Sequence, residues 1–164
     1  CSTYGSFIMK FGNVKFYDFP KPSQLVKCTE SSLRDLGFGY RAKYVSNTMQ
    51  LITHKVSADV EDFDAAVYNY FESLQPLSTR DLLESLQSFS GIGLKVAACI
   101  ALFSFNKHEV VPIDVHMKRL ADSHYWKHDK VKKLKSEMKK CKNQTQKMYY
   151  YMDAYAAIFG KYAG

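Results

Sequence analysis

The 164-residue chain has little of what would tie it to a metal, a membrane or an oxidising compartment. It has four cysteines, Cys1, Cys28, Cys99 and Cys141, whose scatter matches no zinc or iron–sulfur spacing. Reduced thiols of an intracellular protein are the expected state. No apolar run approaches the length of a membrane span and no secretory leader is visible, so no membrane partner is expected. A start at Cys1 rather than Met is expected of a piece of a longer protein. Internal repeats and low-complexity linkers are lacking too. What is present is a globular composition, 46% apolar and 15% aromatic, which excludes disorder. Lys and Arg number 23 against 16 acids, a net charge of +7. That balance favours a polyanionic partner, with a solvated lysine face as the bland alternative.

Helical spacing dominates the pattern. Tyr4 to Lys10 reads as a helix with an apolar face of Phe7, Ile8 and Met9. Gly12-Asn13 is a turn signal, and Asn13 to Tyr17 is the one strand candidate. After the Pro20 and Pro22 loop, Ser23 is the expected cap of a short helix, and Ser31 to Leu36 forms another, stopped by Gly37. Arg41 to His54 and Asp59 to Leu74 carry apolar stripes at helical spacing; Asp59, Glu61, Asp62 and Asp64 load the positive end of the second. Ser78 with Asp81 resembles a capping box for a leucine-rich helix, and Gly93 to Phe103 forms an alanine-rich one. Lys130 to Cys141 turns Val131, Leu134 and Met138 inward, and its lysines read as a solvated face, with contact to a phosphate backbone as the alternative. The last helix runs from about Gln146 to Phe159.

The chemistry concentrates at residues 89 to 117. Gly91-Ile92-Gly93 sits between two helical patterns, where glycines permit a tight turn and close backbone approach to a ligand. The N–H groups opening the second helix favour a phosphate. The same pattern fits an ordinary corner between two core helices. Lys95 follows two residues later. It reads either as a snorkelling surface lysine or as a partly buried amine poised to attack an electrophilic carbon. Asp114, after Pro112, caps a further helix, and a capping carboxylate is also held where it can face positive charge. His116 alone indicates no role.

These segments, Phe89 to Cys99 followed by Val111-Pro112-Ile113-Asp114-Val115-His116-Met117, resemble the helix-hairpin-helix DNA glycosylase superfamily. Leu36-Gly37-Phe38-Gly39-Tyr40-Arg41-Ala42-Lys43-Tyr44-Val45 is similar to its eukaryotic-type 8-oxoguanine branch, in the order that branch requires. Weaker similarity runs from Tyr4-Gly5 to Ala156-Ala157-Ile158-Phe159. The resemblance implies an all-α fold over residues 1–164, with two helical lobes, a lesion cleft between them and the hairpin at about 79–105. It implies a base-excision glycosylase and AP lyase that acts through a lysine Schiff base, without a cofactor, as a nuclear monomer. The implied partner is double-stranded DNA containing an oxidised purine, 8-oxoguanine.

By the same resemblance Lys95 is the nucleophile and Asp114 its aspartate. Gly91, Gly93 and His116 meet DNA phosphate, while Tyr40 wedges into the duplex and Arg41 contacts the orphaned base. Cys99 and Phe159 flank the flipped base, with Tyr155 beside them. The carbonyls of Gln87, Phe89 and Ile92 match those that can hold a monovalent cation, which the chemistry does not need. Ser90 stands where the family usually has proline, Lys118 where an aromatic is frequent, and Tyr155 where a glutamine reads the base. The four-cysteine cluster of endonuclease III-like relatives is lacking. The family's amino-terminal domain, whose glycine carbonyl recognises 8-oxoguanine, and the asparagine motif that fills the vacated stack are expected to be absent as well. A non-catalytic DNA-binding module, a glycosylase for another lesion and an interaction protein with a lysine-rich face remain as alternatives.

Overall fold

The computed structural model describes residues 1–57 and 60–164, and helix accounts for most of them. The exception is the amino-terminal stretch. Tyr4 to Lys10 does not close a helix; Phe7–Phe11 (β1) pairs antiparallel with Val14–Tyr17 (β2) across Gly12-Asn13. Met9 opposite Phe16 and Phe11 opposite Val14 share one face, and Lys10 opposite Lys15 the other, with an irregularity between Phe7 and Met9. That alternation has a period of two, and the residues are β-formers, so the strand pattern overrides the shorter helical one.

Nine α-helices follow among the described residues: Pro22–Leu25 (α1), Glu30–Asp35 (α2), Arg41–Val56 (α3), Phe63–Glu72 (α4), Thr79–Gln87 (α5), Leu94–Ser104 (α6), Val115–Ser123 (α7), Lys132–Lys140 (α8) and Gln144–Phe159 (α9). The expected opening of α4 at Asp59 lies outside the described residues. The helix itself starts at Phe63, where the Asp62 carboxylate accepts the Ala65 N–H. Lys21, not Ser23, takes the cap position of α1, because Pro22 suits the first helical turn. Ser23 instead donates its N–H and hydroxyl to Asp64 of α4, each at 2.8 Å. The Ser23 N–H, chiefly, holds the Asp64 carboxyl below the usual carboxylate range.

The chain divides into two compact units, Cys1–Pro76 with Phe89–Gly91, and Leu77–Ser88 with Ile92–Gly164. The first has a core of Leu33, Ala42, Met49, Ile52 and Val67. Phe89 joins that unit with its ring 5.9 Å from Phe71. The second unit is built on α5 and α6. Leu82, Leu83 and Leu86 of α5 are fully buried, each contributing about 1.5–3 kcal/mol of hydrophobic stabilisation. Ala97, Ala98 and Ala101 of α6 are fully buried as well, and their small side chains let the two helices approach closely. In the same unit α9 packs against α7 and α8.

Candidate functional site

The Ser78 hydroxyl opens α5 by accepting the Asp81 N–H at 3.2 Å while donating to its carboxylate at 2.6 Å. The helix ends at Gln87, and the chain reverses through Ser88 to Gly93 before α6 begins. The two hairpin glycines differ physically. Gly91 has φ +79°, the left-handed region, and a Cβ there would stand 2.6 Å from two ring carbons of Tyr44 and 3.0 Å from its Cβ. Gly93 caps α6 with φ −86°, an ordinary value, and a Cβ there would meet nothing within 4 Å. Gly91 therefore serves packing within the first unit, whereas Gly93 leaves the start of α6 open.

Lys95 is the second residue of α6, and its side chain is 56% exposed rather than partly buried. Its Nζ lies 3.5 Å from Oδ2 of Asp114. Asp114 caps α7, and its Oδ1 accepts the N–H groups of His116 and Met117, both at 2.9 Å. The carboxylate is thus divided, one oxygen fixed to backbone and the other turned to an ammonium. The Met117 N–H first, then that of His116 and the charge of Lys95, hold the Asp114 carboxyl below the usual range. His116 leaves its ring exposed while its backbone serves the cap.

Cys99 lies one turn beyond Lys95 on α6, a free thiol and half-buried. Phe159 ends α9 and is 50% exposed. Tyr155, one turn earlier, stacks on Phe159 at 6.0 Å with 22° between ring planes, but is only 3% exposed. Its hydroxyl donates to the Met117 carbonyl at 2.9 Å. A residue expected beside the base is here a buried support, tying α9 to the turn that Asp114 caps. Burial pushes the Tyr155 hydroxyl up from its ordinary value, so it stays a neutral donor. Tyr125 adds edge contacts, 5.3 Å from both Tyr155 and Phe159.

In the first unit, Tyr40 takes the cap position of α3 and is 63% exposed. The Arg41 guanidinium lies 4.9 Å from the Tyr40 ring centroid, and Tyr44 meets that ring edge-on at 5.9 Å. A row from Tyr40 through Tyr44 to Gly91 therefore joins the wedge candidate to the hairpin turn. Tyr44 had no role from sequence, although its spacing of four from Tyr40 on one helix was a usable signal. Tyr125 gave no such signal.

The pattern defining the family described as HhH-GPD superfamily base excision DNA repair protein matches residues 1–145. The chain is 36% identical over 128 residues to an N-glycosylase/DNA lyase of Saccharomyces cerevisiae, covering 76% of this chain and 33% of that one. It is 32% identical over 123 residues to N-glycosylase/DNA lyase OGG1 of Arabidopsis thaliana, covering 75% of this chain and 32% of that one. The chain therefore spans about a third of the length of these curated relatives. Among solved structures it resembles the 8-oxoguanine glycosylase/lyase of Clostridium acetobutylicum in its apo form. There the TM-score is 0.70 at 25% identity, over 99% of this chain and 47% of that one.

Proposed function

Since the chain belongs to the HhH-GPD superfamily of base excision DNA repair proteins, we propose that it is the catalytic core of a DNA glycosylase and AP lyase. Its substrate on this reading is an oxidised purine in duplex DNA, 8-oxoguanine first, as the resemblance to the Clostridium acetobutylicum enzyme supports. We extend the proposal to a monomeric enzyme that works in the nucleus. The observation that bears most weight is the Lys95–Asp114 pair at 3.5 Å, built on an open helix start and a helix cap.

The chemistry follows from that pair. A stacked base is out of reach, so the nucleotide must leave the duplex. Exposed Tyr40 is suited to occupy the gap, and Arg41 beside it to contact the orphaned partner. The unfilled space at Gly93 lets a phosphate approach the N–H groups of α6. Phe159, backed by Tyr155, offers one flat wall for the base, and Cys99 a soft, polarizable surface.

The Lys95 amine, in its uncharged form, attacks the anomeric carbon as the C–N bond to the base breaks, and the departing base takes up the proton that the new secondary ammonium gives up. The bonding electrons leave with the base. Asp114 stays ionised and faces the positive charge that develops on the sugar. Ring opening gives a Schiff base, and β-elimination then breaks the strand on its 3′ side. The chemistry asks for no metal. By the family resemblance, the carbonyls of Gln87, Phe89 and Ile92 are the oxygen donors that a monovalent cation beside a phosphate would take.

Borohydride trapping on a duplex bearing 8-oxoguanine tests the reading. The wild-type chain is expected to form a covalent adduct, and Lys95→Gln to form none while still binding the duplex. A chain that binds DNA but never traps is a binding module. Trapping on an abasic site alone would keep the lyase and remove the base specificity.

A further inference from the structure

Resting on the DNA-processing reading, we propose that a recess beside α7, α8 and α9 of the second unit is a phosphate subsite for the DNA backbone. It is lined by Lys118 of α7, Lys139 of α8, and Gln144, Lys147, Met148 and Tyr151 of α9, and encloses about 380 Å³. At about 30 Å³ per water, it has room for a phosphodiester with part of its hydration.

The first argument is charge. Ion pairs among the described residues join Arg34 to Glu30, Arg80 to Asp153, Lys95 to Asp114 and Lys132 to Asp129. None engages Lys118, Lys139 or Lys147. Lys118 has only the Tyr151 ring, 5.9 Å from its Nζ. Lys147 is half-buried, so its stem is held against the recess. Asp122 accepts the Tyr151 hydroxyl at 2.8 Å, and burial with that bond pushes this hydroxyl up to about 12. Tyr151 is therefore neutral and adds no counter-charge. The Asp122 carboxylate is set against three ammonium groups, so the recess keeps an excess of positive charge that favours an anion.

The second argument is position. The Asp114 carbonyl accepts the Lys118 N–H at 2.9 Å, placing Lys118 one turn, about 5.4 Å of rise, beyond the capping carboxylate. Tyr151 lies one turn before Tyr155, whose hydroxyl binds Met117. The recess thus neighbours the Asp114 cap along the same two helices. The third argument is ligand type. Tyr151 is buried and cannot stack a base, while lysines act as point charges toward phosphate. The recess also singles out Lys139 from its neighbours on α8, of which Lys132 is already paired with Asp129.

The test measures affinity for a duplex carrying a reduced abasic-site analogue across salt concentrations. Lys118→Gln, Lys139→Gln and Lys147→Gln are each expected to flatten the slope of log K against log salt by about 0.9. That is roughly a threefold smaller loss of affinity for a fourfold rise in salt. The exposed Lys133→Gln and Lys140→Gln should leave the slope unchanged, and Lys147→Arg should preserve it. Equal flattening at the control lysines, or no flattening at any site, overturns the subsite. Inorganic phosphate that shifts the Lys118 and Lys147 side-chain resonances, with DNA slopes unchanged, identifies a free-phosphate site and overturns the backbone assignment. Borohydride trapping on lesion-bearing DNA reads Lys95 separately. Flattened slopes without trapping would sustain the subsite while removing the enzyme.

Discussion

Replacing each hairpin glycine by alanine separates two roles that the sequence presents as one. At Gly91 the new side chain would adopt φ +79°, which costs an L-residue about 1–2 kcal/mol. Its Cβ would stand 2.6 Å from two Tyr44 ring carbons, which can shift only by turning the side chain, and 3.0 Å from the Tyr44 Cβ, which moves only with the α3 backbone. Overpacking of that kind adds about 1–3 kcal/mol. The lower entropy of the unfolded alanine chain returns about 0.4–1 kcal/mol. The net expectation for Gly91→Ala is a loss of about 1–5 kcal/mol, or a melting temperature lower by roughly 2–18 °C for a chain of this size. Gly93→Ala meets open space at an ordinary φ and should change stability by less than about 0.5 kcal/mol. If a phosphate docks at the start of α6, the added methyl should still weaken duplex binding by about tenfold, near 1.4 kcal/mol. Thermal unfolding by circular dichroism and fluorescence anisotropy with a labelled duplex measure the two effects. A Gly91→Ala chain that melts like the wild type refutes the steric argument. A Gly93→Ala chain that binds DNA normally refutes the phosphate approach.

Asp114→Asn keeps an oxygen for the α7 cap but removes the charge facing Lys95, so single-turnover excision should fall by orders of magnitude while the melting temperature moves little. The Asp114 and Asp64 carboxyls both lie below their unfolded values. Their contributions are therefore complete above about pH 4 and fade as pH falls through the lower folded values. An acid titration of stability should show that loss, and Asp114→Asn should blunt it; an identical acid limb would contradict the pairing. Tyr155→Phe removes the bond to the Met117 carbonyl and should cost about 1 kcal/mol in urea unfolding. A positioning role predicts a further drop in the rate of base release without weaker duplex binding, and an unchanged rate would leave Tyr155 merely structural.

Much of the candidate site was legible because it is written in backbone rules. Glycine spacing, the cap at Ser78 and the cap at Asp114 are local, and each element formed where its rule placed it, although Asp81 returns its bond to the Ser78 hydroxyl rather than closing a capping box on the backbone. The strand expected at Asn13 to Tyr17 formed as β2, but β1 was misread because Phe7, Ile8 and Met9 fit a helical face over a single turn, and only the cross-strand partners reveal the alternation. Tyr155 was placed beside the base by the resemblance, which carries no information on the burial that α7 imposes through Met117. Lys95 carried two readings, a snorkelling surface lysine and a partly buried amine, and it takes the exposed one, because a residue in the first turn of a helix can face water while the following turns face the core. The different demands on Gly91 and Gly93 depend on Tyr44, which lies dozens of positions away in the chain.

The divided carboxylate of Asp114 narrows what evolution can place at that position. A glutamate would keep the charge, but its extra methylene withdraws the oxygen that accepts the His116 and Met117 N–H groups. An asparagine would keep that acceptor, but would turn an amide N–H toward the Lys95 ammonium. Serine or threonine would cap the helix with one oxygen and leave nothing for the amine. Each near neighbour of aspartate thus fails on the side that another satisfies, and substitution there has no gradual route: the alphabet offers one letter that answers both demands.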